Sequence, residues 1–347
     1  MSEDNNYDAL LVVSFGGPEG PDDVMPFLEN VLRGRNVPRE RMLEVAEHYN
    51  HFGGVSPITA QNRELIAAIE ADLKANDIDL PVYFGNRNWH PMLPDTLREM
   101  QNDGIKRALA FFTSTYSCYS GCRQYRENIM DAQASLGEGA PEVHKLRMFF
   151  NHPAFIEASV DRVATALAEI PSEAHSETHF LFTAHSIPIS MADGCRYSTQ
   201  LSETCRLIME NFSGNNWDLV YQSRSGPPSQ PWLEPDVCDF LEELKQKGVS
   251  NVVIMPVGFI SDHMEVLFDL DSEAKEKCEE LDIRMARAKT VGTHPKFVSM
   301  VRQLILERSS GTEKLAIGEM PPNHDVCPVD CCLPGKSRRP VSKTTKE

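Results

Sequence analysis

One histidine, a row of three carboxylates and five cysteines outside the regular elements hold the reactive chemistry of this chain. His185 stands in "FTAHSIP", just past a run that reads as a strand. Imidazole titrates near neutral pH, so a histidine aimed into a cleft can accept protons or ligate a metal; the plain alternative is a hydrogen-bonded structural residue. "GFISDHMEVLFDLDSEA" then supplies Glu265, Asp269 and Glu273 at i, i+4 and i+8, one face of a helix. Like charges stacked this way repel. A cation or a proton-relay role would offset the repulsion, because hard divalent ions prefer carboxylate oxygens. The alternative is a solvated acidic face, but Val266, Leu267, Phe268 and Leu270 interleave the row, so part of the helix must be buried.

The thiols form a second group. "HDVCPVDCC" places Cys327, Cys331 and Cys332 in a polar tail, and "YSCYSGCRQY" holds Cys118 and Cys122. Three tail thiols cannot make a four-thiolate site alone; one distant cysteine would complete it. Cys195, Cys205, Cys238 and Cys278 read as ordinary residues, three on helices and Cys195 in a polar stretch before one. Glycine turns follow early strands. "SFGGPEGP" lacks G-x-G-x-x-G and lacks a Gly-Lys-Ser/Thr, so neither a dinucleotide fingerprint nor a P-loop is supported. "FGGVSP" offers Ser56 as a donor to an anion, and Arg87, Trp89, Arg224 and Trp232 follow strands. Arginine beside aromatic rings suits a flat anionic ligand.

The elements that must position these groups alternate. Strands are expected at "ALLVVSF", "PVYFGN", "KRALAFFTS", "VHKLRMFF", "THFLFTAHS", "WDLVYQS", "NVVIMPVGF" and "IRMARAKTV". Amphipathic helices lie between them, among them 59–76 with Thr59 as N-cap and another from about Met264. Continuous apolar strands alternating with helices predict parallel sheets covered on both faces. The expected fold is α/β with two domains of about four strands each, 1–155 and 156–310, and an extension over 311–347 with a frayed end. Ligands of open α/β sheets sit beyond the carboxyl ends of the strands, where His185 and the acidic row fall.

A net charge of −17 over 347 residues argues against a nucleic-acid or anionic-membrane partner. The acidic start "MSEDNNYDAL" carries no signal peptide, and the longest apolar runs fall far short of the roughly 20 residues that span a bilayer. A cytoplasmic protein with no integral membrane segment is expected. There an odd number of cysteines, nine, argues against a disulfide framework.

Taken together, "LLVVSFGGPEGPDDVMPFLENVLRGR", "HFGGVSPI", "VYFGNRNWHP", "AHSIP", "QSRSGPPSQPWLEPD" and "PVGFISDHMEVLFDLD" resemble the ferrochelatase family in order, over about 9–310. The resemblance implies insertion of Fe²⁺ into a porphyrin in haem synthesis, and two Rossmann-like, chelatase-like domains with the porphyrin between them. By position, His185 matches the catalytic histidine, Glu265 the carboxylate opposite it, and Asp269 and Glu273 the acidic row behind. Ser56 and Tyr125 match porphyrin-lining positions; Arg33, Arg35 and Arg87 are candidates to meet the propionates. Phe15 stands where some soluble relatives carry an iron-ligating tyrosine, which moves the expected axial contact to His185. The tail resembles soluble bacterial members that carry a [2Fe–2S] cluster. On that branch Cys327, Cys331, Cys332 and Cys122 (or Cys118) would be the ligands, with a structural Zn²⁺ as the alternative. Coproporphyrin III is the expected substrate. The alternatives are protoporphyrin IX, another metal chelatase reaction, or a non-catalytic porphyrin or haem carrier. A monomer is expected, with porphyrin, Fe²⁺ and haem-pathway enzymes as its partners.

Overall fold

A computed structural model of the chain describes residues 6–34, 37–212 and 216–335. Eight strands make two parallel sheets. The first holds β1 (Ala9–Ser14), β2 (Val82–Asn86), β3 (Arg107–Phe112) and β4 (Glu142–Lys145) in the order β2-β1-β3-β4. The second holds β5 (His179–His185), β6 (Trp217–Gln222), β7 (Asn251–Met255) and β8 (Arg284–Arg287) in the order β6-β5-β7-β8. The two orders are the same, so the halves repeat one topology. All pairings are parallel, as helical crossovers require.

Burial follows from rank in the sheet. Every residue of β1 is buried, as are the first six of β5, because both strands are inner and covered on both faces; the edge strand β4 runs from exposed to buried. Strand order reverses between β1 and β3 and between β5 and β7. Those switch points open crevices at the carboxyl ends of the strands. Phe15 follows β1 and His185 ends β5, so the two residues occupy corresponding places in the two halves.

The helix Pro295–Ser309 packs on Pro153–Leu167 and on Ile58–Ala75, joining the halves. Leu10, Phe111, Phe182, Val253 and Phe297 accordingly belong to one continuous core. Past that helix the chain has no regular structure through residue 335, yet it is anchored. Arg147 and Glu307 form a bidentate pair at 2.6 and 2.9 Å with 1% and 3% of their side chains exposed. The same two residues bind both backbone groups of Leu315. Asn151 holds Met320, Lys145 holds His324, and Arg123 holds the carbonyls of Val329 and Cys331 at 2.8 and 3.1 Å. The expected fraying concerns residues 336–347, outside those described.

Several local expectations change. The long helix starts at Ile58 with Pro57 as N-cap, so Thr59 lies inside it. The strand within "VHKLRMFF" ends at Lys145, because Phe149 and Phe150 turn into the core. Two helices of ten residues or more were not anticipated, Arg39–His51 and Leu93–Asn102. The first buries only Ala46 and Tyr49, too little to give a periodic signal. Among the described residues no helix is long and apolar enough to cross a membrane.

Candidate functional site

His185 is the last residue of β5 and its side chain is 32% exposed. Its Nδ1 lies 2.5 Å from the Ser186 carbonyl, an acceptor, so Nδ1 carries the proton and Nε2 keeps its lone pair. The backbone carbonyl of His185 accepts from Tyr197 Oη at 2.9 Å, and Ser186 Oγ donates to the Leu233 carbonyl at 2.8 Å. Both bonds fix the strand end. Nε2 faces Glu265 Oε2 at 3.6 Å.

Glu265 sits in the turn after β7. His263 caps that turn by accepting the Glu265 amide on Nδ1 at 3.2 Å, and its ring lies 3.9 Å from the Glu265 carboxylate. Burial pushes the His263 imidazole below its usual range, so it stays neutral. Beyond Val266 the helix widens into a π-helical stretch, Leu267–Ala274, with i→i+5 bonding of the kind that clusters at functional sites. Asp269 lies on it and accepts from Gln222 Nε2 at 3.1 Å and, at closer range, from Ser223 Oγ. Ser223 holds the left-handed backbone, φ +60°, which a non-glycine residue adopts at a cost of about 1–3 kcal/mol. Burial first, then the negative charges of Glu265 and Glu273, pushes the Asp269 carboxyl up to about 7. Burial raises Glu273 as well, with Asp236 and Glu276 adding repulsion.

Glu265, Asp269 and Glu273 line one cavity of about 270 Å³. Its other wall comes from the first half: His48 and Tyr49 on the helix Arg39–His51, with His48 stacked on Phe268 at 4.0 Å and 9°. Met264 packs among Val24, Phe27, Leu28, Tyr49 and Trp89, so the acidic turn is held from both halves. A row of carboxylates whose middle member, Asp269, is desolvated and protonates near neutrality can bind a divalent cation or pass protons toward an imidazole lone pair.

The tail brings a second group together. Cys122, 2% exposed, donates its thiol to Cys327. That bond, with Lys145 and Arg126 nearby, pulls Cys327 well below the usual thiol range and pushes Cys122 well above it. Cys331 and Cys332 sulfurs are 3.5 Å apart. A tetrahedral edge between two sulfurs on one metal is about 3.8 Å for bonds near 2.3 Å, so Cys331 and Cys332 have the spacing to chelate one ion. Four thiols in two pairs fit a binuclear iron–sulfur group. His324, Cys327 and Cys331 also place their ligand atoms within 4.8 Å of one another, a set that suits zinc equally. Cys118 is differently engaged. Its sulfur caps the turn Tyr119–Arg123 by accepting the Gly121 amide at 3.1 Å.

A model of the ferrochelatase family matches residues 7–309. The chain belongs to the ferrochelatase family. Its coarse activity is therefore insertion of a metal into a porphyrin. A ferrochelatase of Rhodopirellula baltica is 62% identical over 344 residues, covering 99% of this chain and 98% of that protein. A protein of Streptomyces coelicolor named coproporphyrin III ferrochelatase is 52% identical, covering 97% and 96%. In structure the chain is similar to SirB of Bacillus subtilis, TM-score 0.55 at 13% identity, covering 88% of this chain and 98% of that one. That likeness bears on the chelatase-like fold alone.

The other residues expected at a porphyrin site divide. Phe15 is 37% exposed beyond β1 and packs edge-on against Phe27. The Arg87 guanidinium lies over Phe15 at 5.7 Å and over Tyr125 at 4.5 Å, and bonds Asn128 at 2.7 Å. Tyr125 is thereby buried beneath Arg87, and Ser56 is 4% exposed against Gly17. Arg33 bonds Asn30 at 2.6 Å, and Asn30 reaches the Asn88 carbonyl, which ties the segment bearing Arg33 to the loop just past Arg87. Arg35 lies outside the described residues. Arg224 holds its own loop through the Pro228 and Gln230 carbonyls, and Trp232 is buried. Sequence reasoning overlooked His263, His324, Gln222 and Ser223. All four stood inside quoted motifs, His263 and His324 two and three residues from an assigned ligand; nothing in the types of Gln222 and Ser223 marked them as partners of Asp269.

Proposed function

We propose that this ferrochelatase inserts Fe²⁺ into coproporphyrin III, with His185 as proton acceptor and the Glu265–Asp269–Glu273 row as the path for metal or protons. The observation that carries the reading is the His185 Nε2 to Glu265 Oε2 approach of 3.6 Å, with Glu265 also lining the cavity that Asp269 and Glu273 line. Insertion requires two pyrrole N–H protons to leave and a desolvated Fe²⁺ to arrive. The Ser186 carbonyl holds the Nδ1 proton, so Nε2 is the base, and the Glu265 carboxylate stabilises the imidazolium that forms. Asp269 then takes part in proton transfer near neutral pH, since its carboxyl is pushed up to about 7. Arg33 and Arg87 would meet propionates, with the exposed face of Phe15 against the macrocycle. Relatives named coproporphyrin III ferrochelatase at 47–52% identity support the substrate assignment.

The test is an anaerobic assay of purified protein with Fe²⁺ and either coproporphyrin III or protoporphyrin IX, read by the Soret and Q-band shift. Coproporphyrin III should give the higher kcat/KM, and His185→Ala should lower kcat by about 10²–10⁴ while porphyrin still binds. Binding without insertion would refute the enzymatic reading, and equal rates with both porphyrins would refute the substrate assignment.

We further propose that Cys122, Cys327, Cys331 and Cys332 hold a [2Fe–2S] cluster. The 3.5 Å between the Cys331 and Cys332 sulfurs and the contact between Cys122 and Cys327 support this, as does the capping bond that occupies Cys118. A bound cluster would supply a one-electron couple and a covalent link between the tail and the first half. Lys145 and Arg126 favour the thiolate forms, and Arg123 fixes the tail backbone at Val329 and Cys331. Brown protein with iron and sulfide in equal amounts is the expected result. Colourless protein loaded with zinc would overturn it.

A further inference from the structure

One guanidinium grips both flanks of the turn that carries Glu265. Arg287 ends β8, the edge strand of the second sheet. Its Nε and Nη2 donate to the two carboxylate oxygens of Asp271 at 2.7 and 2.9 Å, a fork-on-fork pair. Its Nη1 donates to Asp262 Oδ1 at 3.0 Å and to the Ala288 carbonyl at 3.4 Å. Asp262 lies three residues before Glu265, and Asp271 two residues beyond Asp269. The side chains of Arg287 and Asp262 are 17% and 14% exposed and that of Asp271 33%, so the Asp262 arm is the better shielded from water. The Asp262 amide in turn donates to Gln61 Oε1 at 2.8 Å, on the helix Ile58–Ala75 of the first half.

The turn needs such a grip. Its π-helical stretch has poorer hydrogen-bond geometry than an α-helix, and Asp269 presses against Glu265 and Glu273 while losing water. Left to itself, a segment under that repulsion would relax by moving its carboxylates apart. Asp271 and Asp262 instead face the other way, onto a positive charge that cannot be deprotonated and whose fork fixes two oxygens at once. We propose that Arg287 is a positioning residue for metal insertion: it fixes residues 262–271 so that the Glu265 carboxylate stays opposite His185 Nε2. The proposal rests on the reading of Glu265 as part of the reacting machinery.

Arg287→Lys keeps the charge and loses the fork, and Asp271→Asn keeps the shape and weakens one arm. Each should lower kcat/KM for Fe²⁺ by about 10- to 100-fold, the scale typical of residues that orient metal-handling groups. Porphyrin affinity, read by fluorescence quenching, should stay within twofold of wild type. Unchanged metal kinetics in both variants would overturn the proposal. So would a parallel loss of porphyrin affinity and thermal stability, which is what a merely structural role predicts. Glu265→Gln measured alongside separates the two claims. If it inserts iron normally, the reading of the acidic row fails; if it is inactive while Arg287→Lys and Asp271→Asn are normal, only the positioning role fails.

Discussion

Replacing Asp269 by Asn should stabilise the metal-free protein while slowing the reaction. The carboxyl is pushed from an ordinary 3.8 to about 7 by burial and by Glu265 and Glu273. A carboxyl with a raised folded value is protonated in the native state at a pH where the unfolded chain has already ionised. Folding then takes up a proton, so stability falls as pH rises from about 4 to about 7 and the full penalty stands above 7. At 1.36 kcal/mol per pH unit, the penalty at pH 8 is on the order of 4 kcal/mol. Asn carries no charge and escapes it. It also forfeits some of the bonding from Gln222 and Ser223, about 1 kcal/mol for a neutral hydrogen bond. The net gain at pH 8 is about 3 kcal/mol, and it shrinks by about 2 kcal/mol at pH 5.5, where the native carboxyl is protonated. Urea unfolding of wild type and Asp269→Asn in a chelator, at the two pH values, measures both quantities. A variant no more stable than wild type at pH 8, or an advantage that does not change with pH, would refute the electrostatic account. Iron insertion in the same variant should be slower, since the group that destabilises the fold is one proposed to act in the reaction.

Cys122→Ser and Cys327→Ser should each lose bound metal, measured as iron, sulfide and zinc per chain, whereas Cys118→Ser should retain it because that sulfur caps a turn. Glu307→Gln leaves the Arg147 guanidinium buried without its anion and removes a support of Leu315, so it should cost about 3–5 kcal/mol in unfolding free energy, against about nothing for Glu243→Gln in its exposed pair with Lys247.

What was legible in the sequence was what depends on spacing along the chain. Inner strands such as β1 and β5 are continuous apolar runs, so they could be placed, and with them the residues at their ends, Phe15 and His185. The acidic row was legible because i, i+4 and i+8 share a face, and the π-helical widening did not disperse it: the three side chains still line one cavity. The tail thiols were legible by count. What depends on a partner far along the chain was hidden. The helix Arg39–His51 is charged on most faces and is ordered by Phe268 and Met264, more than 200 residues away. Tyr125, expected to line the porphyrin, is 4% exposed beneath the Arg87 guanidinium, a contact that no local spacing announces. The left-handed Ser223 follows a strand without any glycine to announce it, and its reason is the Asp269 carboxylate.

The topological repeat extends to the site itself. After the third strand of each sheet the chain enters a turn capped by a side chain on nearly the same backbone. Cys118 caps at φ −144° and ψ 177°, and His263 at φ −142° and ψ 179°. Each cap accepts an amide a few residues on, and a π-helical segment lies at or soon after each. In the first half the turn presents Cys122 to the tail thiols, and in the second it presents Glu265 and Asp269 to the cavity. A fold fixes where side chains can converge and leaves open which side chains they are. The sequences "CYSGC" and "HMEVLFD" share no pattern that would pair them, yet the backbone treats them alike. The thiol centre and the acidic row are thus two uses of one backbone device. That accounts for their lying at matching places in two sheets of identical strand order, and it makes the chemistry of each half a matter of a few side chains rather than of architecture.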